Sequence, residues 1–249
     1  MKVVVAPAYR PIEPFIRSIP QGDYPREQVW RNRRNTVELV RAGETLLVVK
    51  KYKRPTIANC IIYTWFRKNK AQKAWEHANL LLAKGFETAR PIAYVVINRY
   101  GFVHTCYFIS EYLPYPTIDQ AYAQCGNEEE KHRLVTTFID YTIRLHNAKI
   151  LHRDYNPGNI LVHSETDGYH FALIDINRLK VGRVPSVREC MESLEMLGVN
   201  LQGMNNLLPL YAQRKGINEE EAANYLLRFR YFHRMRSYIK RKFKWLIGK

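Results

Sequence analysis

From Asn35 to Tyr52, apolar residues gather in two β-rich runs, "NTVELV" and "TLLVVKKY", on either side of "RAGE". Ala42-Gly43 can supply a turn, so the pattern predicts a hairpin. The next pattern is helical. In "NKAQKAWEHANLLLAKG", Ala71, Ala74, Trp75, Ala78 and Leu82 recur at helical spacing, and Gly85 is placed to end the helix. "PIAYVVINRYGFVHTCYFISEYL" returns to strands, two of them around Arg99-Tyr100-Gly101. A proline-marked connection, Pro114 to Thr117, leads into mostly helical sequence, with a strong helix across "EEEKHRLVTTFIDYTIRLHNA". "NILVH" and "YHFALIDI" predict a short hairpin around Thr166-Asp167-Gly168, and helical regions at roughly Ser186–Leu197 and Asn218–Leu246 close the chain. The first ~30 residues are rich in proline and aperiodic, and read as an irregular lead-in.

The order implies an α+β class within a single domain, 1–249. A small antiparallel-sheet lobe with one helix occupies 1–113. A larger, mostly helical lobe holding one hairpin occupies 114–249 and ends in a basic helix.

Composition narrows the class. With 249 residues, 46% hydrophobic and 25% charged, the chain can bury a sizeable core and is not of disordered type. Cys60, Cys106, Cys125 and Cys190 are far apart without a CxxC pair, which argues against a zinc site or disulfide framework and fits a reducing compartment. No apolar run approaches the ~18 residues of a bilayer span, and "MKVVVAPAYRP" is too short in its apolar part for a signal peptide. A cytoplasmic location is expected, with a peripheral place on a membrane surface as an option. The charge is the outlier: 39 Lys and Arg against 23 Asp and Glu, a formal +16. A field of that sign attracts anionic membrane, nucleic acid or a polyanionic substrate.

The chemistry concentrates in "LHRDYNPGNILV", Leu151 to Val162. His152-Arg153-Asp154 with Asn159 fits the H-R-D-x-x-x-x-N catalytic loop of protein-kinase-like phosphotransferases, and Asp175 of "DIN" stands where those enzymes place the aspartate of D-F-G. Such a motif arises by chance in roughly one chain in several hundred of this length, so its position before a hairpin ending in Ile174-Asp175 is what makes it informative. Phosphoryl transfer needs a carboxylate to orient the attacking hydroxyl and accept its proton, the expected role of Asp154. It also needs oxygen ligands for Mg²⁺, expected from Asn159 and Asp175, while His152 and Arg153 brace the loop.

In the N-terminal half, Lys50 ends "VVK" as the V-A-I-K lysine does and is expected at the ATP phosphates; its neighbour Lys51 should point to the opposite face. Glu76 is the leading partner for Lys50. It is off the main apolar stripe, on a second face with Leu80 and Ala83, and can also be read as an ordinary solvated glutamate. Glu111, in the "SEYL" connector, falls where backbone groups would meet adenine. Departures are equally plain. No G-x-G-x-x-G precedes the hairpin, so the phosphates must be covered differently or by "WRNRRN", Trp30 to Asn35. D-F-G is D-I-N, no A-P-E follows, and Asn156 stands where Ser/Thr kinases carry a lysine, all of which count against a peptide substrate.

Together these residues resemble the lipopolysaccharide kinase family, the Kdo and heptose kinases of the inner core. The resemblance rests on "RN-x-V" at Arg34–Val37, "VVKKYKRP" at Val48–Pro55, "NKA" at Asn69–Ala71, "ARPIAY" at Ala89–Tyr94, "HRDYNPGNIL" at His152–Leu161 and "IDINRL" at Ile174–Leu179. It implies a two-lobed protein-kinase-like fold, ATP and Mg²⁺, and a sugar hydroxyl of lipopolysaccharide core as acceptor. A small-molecule or protein kinase of the same fold, or a non-catalytic basic adaptor, are the alternatives.

The tail "RFRYFHRMRSYIKRKFKWLIGK", Arg228 to Lys249, has nine Lys or Arg and no acid. Phe229, Phe232, Met235, Ile239, Phe243 and Leu246 recur at helical spacing. The stripe could pack on the large lobe with its charges solvated, or lie on an anionic leaflet. Nucleic acid is a third option, but no recognised binding module is present and no nucleic-acid partner is expected.

Overall fold

The computed structural model describes residues 1–32, 35–197 and 207–246. Its strands are β1 (Lys2–Val5), β2 (Arg26–Asn32), β3 (Thr36–Ala42), β4 (Thr45–Tyr52), β5 (Glu87–Thr88), β6 (Pro91–Arg99), β7 (Phe102–Glu111), β8 (Ile150–His152), β9 (Ile160–Glu165), β10 (Gly168–Leu173) and β11 (Leu179–Val181). Its α-helices are α1 (Glu13–Ser18), α2 (Ile57–Ile61), α3 (Lys70–Ala83), α4 (Ile118–Gln124), α5 (Glu128–Asn147), α6 (Val187–Glu195), α7 (Leu207–Lys215) and α8 (Glu219–Leu246). The chain divides into two units: residues 1–115 with 172–178, and residues 116–171 with 179–249.

The first unit is built on a six-stranded sheet in the order β1-β6-β7-β4-β3-β2, and the pairings along it are antiparallel. The β3–β4 hairpin turns at Gly43, whose φ of 60° is the left-handed conformation that glycine adopts at least cost. The β6–β7 hairpin turns at Tyr100-Gly101, with φ of 53° and 81°, the positive pair of a type I′ turn. Ile92, Val95, Val40, Leu47, Val49 and Ile109 form the core on the sheet.

The lead-in is a correction to the sequence reading. Residues 1–30 are ordered: β1 and β2 flank the sheet, and α1 with the 3-10 turn that follows it delivers Ile16 and Ile19, both buried, into its core. Tyr24 donates to Glu38 Oε2 at 2.8 Å and Arg26 Nε to Glu38 Oε1 at 2.9 Å, tying the segment to β3. Short elements that owe their order to a sheet edge and two buried isoleucines leave no periodicity to read.

Helix α3 starts at an Asn69 N-cap whose side chain accepts from Ala71 and Gln72, in a capping box closed by Gln72. It buries Ala71, Ala74, Ala78 and Leu81, whereas Leu82, expected on the stripe, is 39% exposed. Small residues on that face let the helix lie close on β6 and β7. α2, and the π-helical turn Ile62–Phe66 that continues it, were not legible in the pattern.

In the second unit α5 buries Leu134, Phe138, Tyr141, Thr142, Leu145 and His146. It leads through Ala148 and Lys149, the latter at φ 65°, into β8. β8 pairs antiparallel with β11, His152 opposite Leu179. α6 opens on a Ser186 capping box with Glu189, and the carboxylate of Glu189 also takes Arg183 and Lys180, so its pKa is pulled down to about 2. Helix α7 and the small β8–β11 sheet are further elements that the apolar pattern did not predict.

Candidate active site

β4 alternates, and its last turn of side chains separates the two lysines. Lys50 is 13% exposed and its Nζ lies 2.6 Å from Asp175 Oδ1. Lys51 points to the other face, exposed, with Nζ 5.7 Å from the Tyr107 ring centroid. Asp175 follows β10, which joins β5 in parallel through Ala172 opposite Glu87 and Leu173 opposite Thr88. Thr88 Oγ1 donates to the Leu173 carbonyl at 2.6 Å.

Asp175 itself has φ 53°. A non-glycine residue held in that region costs about 1–3 kcal/mol and persists where its surroundings compensate. Here Asn177 Nδ2 donates to Asp175 Oδ1 at 2.7 Å. Tyr52, buried beside this pair, shares a hydrogen bond with Asn177, and burial pushes its phenol well above the usual range. From α3, His77 Nδ1 donates to the Ile176 carbonyl at 2.7 Å, and desolvation lowers its pKa, so the ring stays neutral. The helix residue that holds the "DIN" turn is therefore His77. Its signal was in the sequence: it stands three residues after Ala74 and four before Leu81, on the border of the buried stripe.

Glu76, its neighbour, was expected to meet Lys50. It pairs with Lys68 at 2.7 Å and is 44% exposed, because it lies off the face that packs on the sheet. Glu111 ends β7 and is tied down: its carboxylate accepts from the Tyr9 hydroxyl, lies 4.0 Å from Arg90 Nε, and its N–H donates to the Arg90 carbonyl. The next residue, Tyr112, donates its N–H to Leu46 O and stacks on Trp30 at 5.8 Å. Arg33 and Arg34, the middle of the stretch read as a phosphate cover, lie outside the described residues; so does Arg34 of "RN-x-V".

In the second unit the loop 152–159 is held from within. His152 is fully buried; its Nδ1 accepts from the Asp154 N–H at 3.1 Å, which places the ring proton on Nε2, and its carbonyl accepts from Ser193 Oγ. The Asp154 carbonyl accepts from Asn156, backbone and side chain, and from Asn159 Nδ2 at 2.7 Å. With Nδ2 committed, Asn159 keeps its carbonyl Oδ1 to offer a ligand. Tyr155 is the anchor: fully buried, stacked on Phe138 at 5.8 Å, with its hydroxyl 2.9 Å from Thr142 Oγ1. The Thr142 hydroxyl donates to the Phe138 carbonyl, so Tyr155 is the donor in that bond. Arg153, expected to brace the loop with His152, is exposed and makes no hydrogen bond or ion pair among the described residues. Bracing falls to His152, Tyr155 and Asn159. Tyr155 was not singled out in the sequence, where a tyrosine among polar loop residues carries no mark of burial.

Taken one at a time, the Asp175 carboxylate, with the Lys50 ammonium beside it, and the Asn159 carboxamide oxygen are donors of the kind that hard divalent cations take.

No curated protein matches the chain. Among solved structures it is similar to one described as WaaP in complex with acyl carrier protein, at 17% identity and a TM-score of 0.61, over 92% of this chain and 97% of that one. At that identity the likeness speaks for the fold alone, and that fold is the kinase-like α+β architecture that the family resemblance implied. The family model of the lipopolysaccharide kinase (Kdo/WaaP) family matches residues 26–204, well over half of the chain, including Lys50, the 152–159 loop and Asp175. By that match the chain belongs to the lipopolysaccharide kinase (Kdo/WaaP) family.

Proposed function

We propose that this kinase transfers the γ-phosphoryl group of ATP to a hydroxyl of a Kdo or heptose sugar in lipopolysaccharide core. The observation that carries the reading is the Lys50–Asp175 pair, which joins a strand lysine to the carboxylate of a D-x-N turn at 2.6 Å. Lys50 binds the α- and β-phosphates. Asp154 orients the acceptor hydroxyl and takes its proton as the oxygen attacks phosphorus. A new phosphorus–oxygen bond forms, the bond to the bridging oxygen breaks, and ADP leaves with that electron pair. Mg²⁺, for which Asn159 Oδ1 and the Asp175 carboxylate are suitable ligands, neutralises charge on the phosphates when bound. His77, Asn177 and Tyr52 keep the "DIN" turn in its left-handed conformation, while Tyr155 and His152 keep Asp154 and Asn159 in place. Glu76 and Glu111, by their contacts, serve structure around the nucleotide rather than the phosphates. An acceptor linked to lipid puts the reaction at a membrane surface. No helix among the described residues is long and apolar enough to cross one.

The test is Mg²⁺-dependent transfer of labelled γ-phosphate from ATP to purified lipid A-core acceptors, with Asp175→Ala as control. Label on a core sugar, lost in the variant, supports the reading. ATP binding with no label on any core sugar overturns the acceptor, and absence of ATP binding overturns the reaction.

A further inference from the structure

Helix α8 is 28 residues long, about 42 Å at the helical rise, and among its described side chains the packed ones lie at its beginning. Ala222 is fully buried, and Arg230 Nε bonds Glu195 Oε1 of α6 at 2.7 Å. Beyond Arg230, every described side chain of α8 is exposed. Phe232, Met235 and Ile239, three of the positions that could have packed on the large lobe, are 61%, 41% and 55% exposed; the side chains of Phe243 and Leu246 lie outside the described residues.

Leu227, Tyr231 and Tyr238 are also exposed, at 61%, 62% and 49%. At about 100° per residue, these six large apolar side chains share one arc of about 140°. Singly exposed apolar residues are ordinary on a protein surface; a continuous row of them marks a contact site. Arg228 and Lys242 fall in the same arc, with Lys242 Nζ 5.3 Å from the Tyr238 ring centroid. No Asp or Glu occurs after Glu221, while Arg228 to Lys249 contains nine Lys or Arg.

We propose that this face of α8 lies in the headgroup region of an anionic bilayer. Aliphatic and aromatic side chains enter the acyl boundary, and long basic side chains reach back to lipid phosphates. Charge decides among occupants. A second copy would bring like charges together over the whole tail. Nucleic acid would satisfy the charge but gives Leu227, Met235 and Ile239 nothing to stack on. An anionic membrane takes both the apolar arc and the positive field, and each basic residue near such a surface multiplies affinity roughly fivefold.

The experiment is flotation of the full chain with vesicles of phosphatidylcholine, and of phosphatidylcholine mixed with phosphatidylglycerol. Association with the mixed vesicles only, weakened by salt, is expected. Phe232→Ser with Ile239→Ser should lower that affinity at least about tenfold with the melting temperature unchanged. If that double variant fails to fold, Arg228→Glu with Lys242→Glu tests the same face and should lose binding by a similar factor. No flotation with anionic vesicles, or equal flotation of a folded variant, overturns the proposal. So does concentration-dependent dimerisation that the same substitutions abolish, which would give the face to a second copy. Vesicle binding needs neither nucleotide nor acceptor, so its failure leaves the phosphotransfer reading standing.

Discussion

Lys50 Nζ and Asp175 Oδ1 stand 2.6 Å apart, the first near the end of a strand and the second in a left-handed turn far along the chain. Both side chains are largely withdrawn from water, so the pair acts in a medium where charges are weakly screened. Two residues read separately as phosphate and metal contacts thus meet directly, and Lys51 faces elsewhere.

Lys50→Ala should reduce phosphate transfer by roughly 100-fold or more, the scale on which removal of one aligned electrostatic group acts. Lys51→Ala should change it by less than about threefold, since that side chain rests on Tyr107. Single-turnover transfer with both variants settles the register; the reverse order would mean that the strand presents its other face.

Asp154→Asn should lower transfer by at least about 1000-fold while ATP affinity and melting temperature hold. The hydrogen bonds that shape the loop use the Asp154 N–H and carbonyl, both of which the variant retains. Calorimetric ATP titration beside the activity assay separates the two effects, and an active variant would remove Asp154 from the proton's path.

Tyr155→Phe takes away the donor to Thr142 in a fully buried site, at a cost of about 1–2 kcal/mol in urea unfolding. Tyr155→Ala also empties the space against Phe138 and should cost about 3–5 kcal/mol. Because Tyr155 adjoins Asp154, kcat should fall in both variants, further in the second.

His146 links α5 to α7 through Nδ1 and the Tyr211 hydroxyl at 2.8 Å, and burial, with Lys215 nearby, lowers its pKa to about 3. The unfolded chain takes up this proton below about pH 6.5, the folded chain only near 3. The unfolded state therefore binds more protons in that window, and stability falls by about 1.4 kcal/mol for each pH unit of acidification through it. His146→Gln should flatten the slope measured by urea unfolding at pH 7, 6 and 5; an unchanged slope would show that other groups carry it.

Much of this architecture was legible along the chain. The β3–β4 and β6–β7 hairpins announce themselves through β-rich runs around Gly43 and Gly101, and α5 through the helical run "EEEKHRLVTTFIDYTIRLHNA". The 152–159 loop and Asp175 stood out because their residue types and spacing are those of phosphoryl transfer. What escaped was order without period: the lead-in, α2, α7 and the β8–β11 pair depend on partners distant in sequence. Glu76 shows the same limit from the other side, since a helix pattern gives a residue's face but not which lysine approaches it.

By itself, then, the sequence determined the local elements, the excess of positive charge and the chemistry of one loop, because periodicity and motif spacing are written in consecutive residues. The tertiary structure decided which lysine of Lys50 and Lys51 reaches Asp175, that Glu76 pairs with Lys68 while His77 holds the "DIN" turn, that Tyr155 rather than Arg153 anchors the loop, and that the described apolar side chains of α8 from Tyr231 on stay exposed. Each of these depends on where a side chain lands relative to one far away in the chain, and that distance is set by packing.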